Sequence, residues 1–536
     1  MGETKGSLER KIFKAGGFVL LAHLLFKFAG LIQAKVMGHF LPQSTFDVVY
    51  AVAFENCIFM LFLIGEEIIG PSFLPVFMRE LDGGDERGAW SFANTVLTLQ
   101  FLILLVVAGV LAFCPHAVVR FLTQWSDVSS PEKYELAASS IRTLAPAVVG
   151  LSLGSTTYVL LNGYKRFFLA AFGDAVWKFC VVAFLFAGAL LSKDSAMMLM
   201  WGLVAGSLCK VGTHLFGLHD KLRFIRPAFD FRNPAFKRLC WLALPLLAGI
   251  VVAKIRDEVN NVYLLSSLKE SGLMQANSMG RKLQATFLFL VPYTLSVAAF
   301  PFFCELVDRN DHAKLGALLT KFGRILLAVF LPFSAYVAIA AVPLTTLLFK
   351  GGHFDATAVQ RTAVSLAFYT LALPAAAVEA LCMQAFFANR RMVSVTVVGI
   401  LFSALSVLIS WLGLRFLGTG QSLALLAVIA GGFALSRTLK TFSLIHLLKR
   451  NAPLFPAGET WGFLARVMAA SLLAAGAAWF GQGLVSGKHA LIQLAAGGAA
   501  FGVVYLAAAR CFGIGELLDL FSQLLQKHRS VNGQEK

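Results

Sequence analysis

The stretch FDVVYAVAFENCIFMLFLIGEEIIGPSFLPVFM, residues 46–78, decides the fold class of this chain. It exceeds the roughly 20 apolar residues that cross a bilayer, and it contains Gly and Pro, as tilted or broken membrane helices do. Its acidic side chains, among them Asp47, Glu66 and Glu67, are costly in lipid, so they are expected to face a cavity or a partner. The run predicts a membrane-spanning helix that carries functional or paired charges.

Similar runs recur along the whole sequence, and together they predict an all-α polytopic membrane protein. With boundaries accurate to a few residues, we count fourteen spans, at 12–40, 46–78, 90–114, 135–161, 167–191, 195–218, 236–266, 271–304, 313–342, 356–388, 392–416, 420–448, 462–482 and 488–511. The first run is too long for a cleaved signal peptide, so we interpret it as a span. Residues 513–527 are typical of an amphipathic helix on the inner leaflet.

Composition excludes a soluble protein. The 536 residues are 58% hydrophobic and 14% charged, and the mean hydropathy is +0.75. The net charge of +17 comes from short basic clusters between apolar runs, which indicates membrane orientation and no nucleic-acid partner. The eight cysteines are scattered singly, which predicts buried free thiols and no metal site. No P-loop motif and no cofactor motif is present in the sequence.

Basic residues in the connecting loops predict the orientation of the chain. If the N-terminus is cytoplasmic, the inside segments hold about four times as many Lys and Arg residues as the outside loops. Both termini are therefore predicted to be cytoplasmic. The loops are also too short to hold a folded catalytic domain, which argues against an enzyme.

An internal repeat predicts two similar lobes. Pro75 and Pro301 are 226 residues apart, and Asn162 and Asn389 are 227 apart, each pair at equivalent cytoplasmic corners. We predict an N-terminal lobe of six helices (1–230), a C-terminal lobe of six (231–450), two further helices (451–512) and a cytoplasmic amphipathic helix with a tail (513–536). Parallel repeats of this kind usually place a substrate site between the two halves.

Three segments resemble the MurJ/MviN family of lipid II flippases. They are GEEIIGPSFLPVFMREL (65–81), LLNGYKRFFLAAFGD (160–174) and VPLTTLLFKGGHF (342–354), in family order. The resemblance covers about residues 15 to 510. It implies the exporter superfamily's two six-helix lobes around a cavity, with two extra helices beside a groove for the lipid tail. It also implies a bacterial inner-membrane location, a polyprenyl-linked glycan as cargo, membrane lipids around it, and other cell-wall synthesis proteins as candidate partners.

The resemblance implies candidate cargo-binding residues, position by position. Lys27 keeps the charge of a family arginine in the first span, Asp47 matches an aspartate, and Lys282, with Arg281 beside it, matches an arginine of the eighth span. Gln33 and Leu61 stand where relatives carry arginine, so the charge pattern is partly redrawn. A sodium site known in some relatives is not carried over, because spans eleven and twelve contain no Asp, Glu or Asn.

The densest group of charges within a predicted span lies at residues 254–258. Lys254 and Glu258 are four residues apart on one helical face, so a local ion pair is one interpretation, and charge balance in a cavity is the other. Arg256 lies on a different face, and no acid on its own turn offers the same geometry. Since arginine stays charged and binds phosphate oxygens through two donors, Arg256 is a candidate for cargo binding.

The remaining buried charges have two interpretations each. Glu66 and Glu67 either move with a hinge and balance cavity cations, or hydrogen-bond to backbone groups freed by a helix break. Glu379 either pairs with a basic residue across the cavity or binds a proton. Asp174 is expected to pair with Lys178, four residues later. Lys35 is expected to reach the membrane surface.

The function predicted from these features is a flippase for lipid II that works by alternating access, with no bond made or broken. The alternatives are an exporter of another polyprenyl-linked glycan and a multidrug exporter of the same superfamily. Cationic drugs call for acidic cavities, whereas the cluster at 254–258 and Arg281–Lys282 is mostly basic. A membrane enzyme that polymerises glycan from the same lipid is the most distant alternative.

Overall fold

The computed structural model describes residues 28–83, 85–288, 294–389, 391–418, 420–450 and 452–515. Residues 12–27 of the first predicted span, Lys27 among them, lie outside this part of the chain. So does nearly all of the predicted amphipathic helix at 513–527. Over the described ranges the chain is helical, and the β-type pairing recorded there is one isolated bridge between Gly351 and Phe354. The predicted all-α class is therefore confirmed.

The chain divides into two compact units. Unit 1 comprises Met1–Gln275 and Gly351–Phe354, and unit 2 comprises Ala276–Lys350 and Asp355–Lys536. The predicted lobe boundaries follow the sequence repeat, whereas these units follow contacts, so the lobes remain a prediction.

The described helices of unit 1 are α1 (28–40), α2 (Gln43–Leu81), α3 (Glu86–Phe113), α4 (Pro115–Leu122), α5 (Pro131–Gly163), α6 (Phe167–Leu190), α7 (Ser195–Gly217) and α8 (Pro234–Glu258). The first part of α2, Phe46–Ile58, is a π-helix, and α8 continues into a second π-helix, Val259–Tyr263. Helix α9 (Leu273–Leu288) begins at the end of unit 1.

The described helices of unit 2 are α10 (Thr294–Asp308), α11 (His312–Ile339), α12 (Ala341–Phe349), α13 (Ala356–Thr370), α14 (Leu373–Ala388), α15 (Met392–Leu417), α16 (Ser422–Lys449), α17 (Ala457–Leu484) and α18 (Ala490–Cys511). Its core includes Phe303, Phe330, Leu373 and Phe386. Helices α17 and α18 pack on α11, where the Tyr505 hydroxyl donates to the Ala328 carbonyl at 2.6 Å.

Ten described helices are long and apolar enough to cross a membrane, and the pair α13–α14, bent by 44°, brings the number to eleven. The prediction of about fourteen spans is compatible with this number. Three of the fourteen predicted spans are not among these eleven. The run 12–40 is described only from residue 28, and the run 271–304 includes residues 289–293, which are not described. The run 236–266 contains the charged residues of α8, which make it less apolar than those eleven.

Local sequence signals explain where several helices begin. Asp85 accepts a hydrogen bond from the Gly88 amide at 2.8 Å, and Asp311 accepts one from the Lys314 amide at 3.1 Å. Both are side-chain N-caps that satisfy a free amide of the first turn. Because these two aspartates are 226 residues apart, the caps agree with the repeat in the sequence.

Helices α5, α6 and α7 of unit 1 approach closely through small residues. A Cβ atom added at Gly206 would lie 2.6 Å from the Trp177 carbonyl oxygen, and one at Gly150 would lie 2.6 Å from the Ser207 hydroxyl oxygen. Small residues allow such backbone approach where the hydrophobic effect does not drive helices together. This tight packing positions the charged side chains of α6 and α7 described below.

All eight cysteines are free, as predicted, but most are not buried. Cys57 and Cys382 are buried, whereas Cys114, Cys209, Cys240 and Cys511 are exposed. A cysteine behaves as a small apolar residue, so it is as well suited to a lipid-facing helix surface as to a core. The prediction of buried thiols is wrong for these four.

Candidate functional site

Lys254 forms its ion pair with an acid of a different helix. Its ammonium lies 2.6 Å from Glu67 of α2, which packs against α8, and its side chain is 12% exposed. The local alternative, a pair with Glu258 on the same face, is therefore not the contact that holds this lysine. Glu258 itself is buried at the point where α8 widens into a π-helix. Lys254 and Glu67 thus link α2 and α8.

Arg256 is held by the residue next to it. Its Nε and Nη2 atoms donate to Oδ1 of Asp257 at 3.0 and 2.7 Å. The sequence analysis looked for an acid four residues away and did not consider Asp257, which the long side chain reaches by folding back. Its side chain is 22% exposed.

A buried ion pair that the sequence analysis missed joins α6 to α7. The Lys210 ammonium lies 2.6 Å from Asp174, and the lysine side chain is 1% exposed. The ammonium also lies 4.8 Å from the centre of the Phe62 ring, a cation–π contact. The prediction that Asp174 pairs with Lys178 is wrong, since the α6–α7 packing brings Lys210 to it; Lys178 lies over the Trp177 ring.

Asp47 binds backbone amides. Its two carboxylate oxygens accept hydrogen bonds from the Gly272 and Gln275 amides at 2.6 and 2.8 Å, and the residue is 4% exposed. All three residues belong to unit 1. The carboxylate therefore caps the turn 272–275 from a distant part of the chain, which is a positioning role.

Glu379 lies in a triad with two cations of unit 2. Its oxygens lie 2.7 Å from Arg437 Nε and 2.7 Å from Lys440 Nζ, both on α16. Glu379 is 6% exposed, while the two basic side chains are 26% and 22% exposed. The three groups carry one positive charge in excess, which suits an anion. Arg437 and Lys440 are functional candidates that the sequence analysis did not name.

The repeat in the sequence could have revealed Arg437. Lys210 and Arg437 are 227 residues apart, the same offset as Asn162 and Asn389. Both are paired with an acid inside their own unit. A search for pairs of basic residues about 227 positions apart would have found Lys210 together with Arg437.

The structure does not bring every predicted residue into one site. Arg281 and Lys282 are half-buried on α9, where the Lys282 carbonyl accepts the Thr286 hydroxyl at 2.8 Å. Glu66 is half-buried on α2, close to the charges of Lys210 and Lys254. Lys27 lies outside the described residues. The cargo-binding roles of these residues remain predictions.

The sequence motif at 160–174 has a structural role. The Arg166 guanidinium donates to both oxygens of Asp220 at 2.7 and 2.8 Å, and these hydrogen bonds lower the pKa of Asp220 to about 2. Beside it, Tyr164 accepts from the Trp90 indole and donates to Glu86, both at 2.8 Å. The motif therefore fixes the corner between α5 and α6 to the start of α3 and to the loop that carries Asp220.

The motif at 342–354 is also structural. The His353 amide donates to the His39 carbonyl at 3.1 Å, and the buried Phe354 ring packs on Gly38. Gly352 has a φ of +57°, and a Cβ there would lie 2.2 Å from the His39 carbonyl oxygen. Only glycine fits at position 352 of this loop.

Apolar membrane-crossing helices with paired charges buried among them define a class of protein, the polytopic membrane transporters. Solved structures show the same fold. "Lipid II flippase MurJ, inward closed conformation" is similar with a TM-score of 0.70 and 16% identity over 92% of this chain and 98% of that one. An inward-facing multidrug MATE transporter of the MOP superfamily is similar with a TM-score of 0.66 and 11% identity, over 79% of this chain and 94% of that one.

The family follows from the sequence comparisons. The family model described as lipid II flippase MurJ matches residues 35–499. A probable lipid II flippase MurJ of Borreliella burgdorferi is 24% identical over 82% of this chain and 87% of its own length. The lipid II flippase MurJ of Burkholderia cenocepacia is 24% identical over 72% and 74%. This chain belongs to the lipid II flippase MurJ family, and it is a multi-pass protein of the bacterial inner membrane.

Proposed function

We propose that this chain is a flippase that moves lipid II, a polyprenyl-pyrophosphate-linked peptidoglycan precursor, from the cytoplasmic to the periplasmic leaflet. The observation that carries the proposal is the family match over residues 35–499. The cargo site opens first to one side of the membrane and then to the other. Both termini are cytoplasmic, and no bond is made or broken.

Partly accessible cations inside the membrane support a pyrophosphate cargo. Arg256 in unit 1 and Arg437 and Lys440 in unit 2 are each 22–26% exposed and each held by a carboxylate at 2.7 Å. A pyrophosphate would compete with those carboxylates for the same donors, and arginine can engage two phosphate oxygens at once. Lys27, Arg281 and Lys282 are the further cation candidates.

We assign Asp47 an indirect role in this function. Its carboxylate binds the Gly272 and Gln275 amides and carries negative charge, so it does not itself attract a pyrophosphate. It acts by fixing the turn at the start of α9, the helix that carries Arg281 and Lys282. The acids Glu67, Glu258 and Glu379 balance the charges of the cations while the site is empty.

Depletion of the chain in living cells tests the proposal. In a strain without another flippase, lipid II on the outer leaflet is measured with a cell-impermeant enzyme that cleaves its exposed head group. We expect this exposed fraction to fall on depletion and to recover with the wild-type gene. An Arg437→Gln/Lys440→Gln variant is expected to restore it at least tenfold less well, while Arg309→Gln, a charge at the helix end, restores it fully.

Unchanged lipid II exposure after depletion would overturn the lipid II assignment. Loss of a different polyprenyl-linked glycan from the outer leaflet would identify the first alternative cargo. Increased sensitivity to cationic drugs with normal lipid II exposure would identify a multidrug exporter.

A further inference from the structure

Five charged side chains of unit 1 do not balance. Glu66 and Glu67 of α2 and Asp174 of α6 are acidic, whereas Lys210 of α7 and Lys254 of α8 are basic. The two lysines lie at 2.6 Å from Asp174 and Glu67 respectively. When all five are ionised, the group carries one negative charge in excess, and that charge resides on Glu66.

Glu66 differs from the other four in its contacts. Over the described residues, its carboxylate has no hydrogen bond and no ion pair, although it lies within a membrane-crossing helix and is half-buried. The charges that act on it come from its own helix and three others, namely Lys210, Asp174, Glu67 and Lys254. Both lysines are held at 2.6 Å by other acids, Lys210 by Asp174 and Lys254 by Glu67, so each acts on Glu66 only at longer range.

His214, one helical turn after Lys210 on α7, does not compensate for Glu66 either. The His214 ring lies 2.9 Å from the Thr157 hydroxyl and 3.1 Å from the Ala170 carbonyl. A nitrogen that faces a carbonyl must donate, and the other nitrogen can accept from the hydroxyl, so a neutral ring satisfies both contacts. His214 therefore does not have to contribute a positive charge.

We propose that Glu66 is a proton-binding site, and that proton uptake and release there couple the transport cycle to the proton gradient. The inference rests on the proposed function and adds its coupling ion. An isolated carboxylate at mid-bilayer depth costs at least about 2.5–3.5 kcal/mol, and a proton on one oxygen removes that charge. The side chain is only partly buried, which gives the proton a route to and from water.

The paired acids beside Glu66 give proton release a mechanical consequence. When Glu66 loses its proton to water, its new negative charge attracts Lys210 and Lys254 and so competes with Asp174 and Glu67 for them. A shift of either lysine weakens a contact that joins two helices, α6 with α7 or α2 with α8. Protonation restores the arrangement described here. The described residues contain no group of three or more His, Cys, Asp or Glu side chains that could hold a metal ion.

Flipping measured against pH tests the coupling. The purified full-length chain is reconstituted with fluorescent lipid II in vesicles, and the flipping rate is measured between about pH 5 and about pH 9. We expect the wild-type rate to change by at least about tenfold over this range, because below its pKa the charged fraction of a carboxylate changes about tenfold for each decade of proton concentration. Glu66→Gln is expected to flip at a rate independent of pH.

Glu80→Gln is the matched control, because it makes the same chemical change on the same helix. It is expected to keep the wild-type pH response. A Glu66→Gln variant that also keeps that response would overturn the proposal, as would a wild-type rate that responds to sodium and not to pH. A wild-type chain that flips no lipid II at any pH would contradict the proposed function instead.

A second measurement tests the proton site without transport. Infrared difference spectra of the purified chain between acidic and alkaline buffer report carboxylic-acid C=O stretching. We expect the wild type and Glu80→Gln to share a component of this band that is missing from Glu66→Gln. An unchanged band in Glu66→Gln would rule out this proton site, whatever the cargo is.

Discussion

The Asp174–Lys210 pair is expected to behave as a buried ion pair whose two charges depend on each other. Lys210 is 1% exposed, Asp174 is 17% exposed, and their charged atoms lie 2.6 Å apart. Removing one partner of such a pair leaves an uncompensated charge and costs about 3–5 kcal/mol. We therefore expect Lys210→Met and Asp174→Asn each to cost that much. The double variant removes both charges and should cost about 1 kcal/mol, the net value of one hydrogen bond.

Thermal unfolding of the purified chain in detergent, followed by intrinsic fluorescence, measures the difference. At about 2–4 °C per kcal/mol for domains of 150–250 residues, each single variant should melt at least about 6 °C below the wild type. The control is the exposed pair Arg309–Glu305, whose side chains are 72% and 53% exposed. Such pairs contribute about 0.3–0.5 kcal/mol, so Arg309→Gln should shift melting by no more than about 2 °C.

The result that would refute this reasoning is a double variant as unstable as the worse single variant. It would mean that the two charges do not compensate each other. Single variants as mild as Arg309→Gln would show instead that the site is solvated.

Two further substitutions test the packing and the cap. Gly206→Ala should lower the melting temperature, because the added Cβ would lie 2.6 Å from the Trp177 backbone oxygen. The control is Gly212→Ala on the same helix, whose Cβ meets open space. It should stabilise the folded chain by about 0.5–1 kcal/mol. An equal effect of both would contradict the close approach of α6 and α7. Asp47→Asn leaves one acceptor oxygen for two amides, so it should lower the free energy of unfolding by about 1.5–3 kcal/mol, measured by thermal unfolding. An unchanged melting temperature would show that the turn 272–275 does not need the carboxylate.

The helices were predictable because the length of an apolar run and the bilayer thickness determine most of them. The ranges 90–114, 167–191 and 488–511 lie within about five residues of α3, α6 and α18. The repeat was also readable, since the caps at Asp85 and Asp311 reproduce its offset.

The partners of the buried charges were not predictable in the same way. Spacing of four residues offered Lys254 with Glu258 as one interpretation and predicted Asp174 with Lys178, because side chains four apart on a helix are neighbours. In the structure, helix packing brings Glu67 to Lys254 and Lys210 to Asp174. That packing depends on contacts between distant segments, which spacing within one helix does not contain.

The central claim is that this chain by itself carries lipid II across a bilayer, and reconstitution tests it most directly. Purified chain is placed in vesicles with head-group-labelled lipid II, and a membrane-impermeant quencher reports how much label lies on the outer leaflet over time. We predict that the protein makes nearly all of the label accessible, while empty vesicles keep about half of it protected. Vesicles that contain the folded chain and still protect half of the lipid II under every imposed pH gradient would contradict the account.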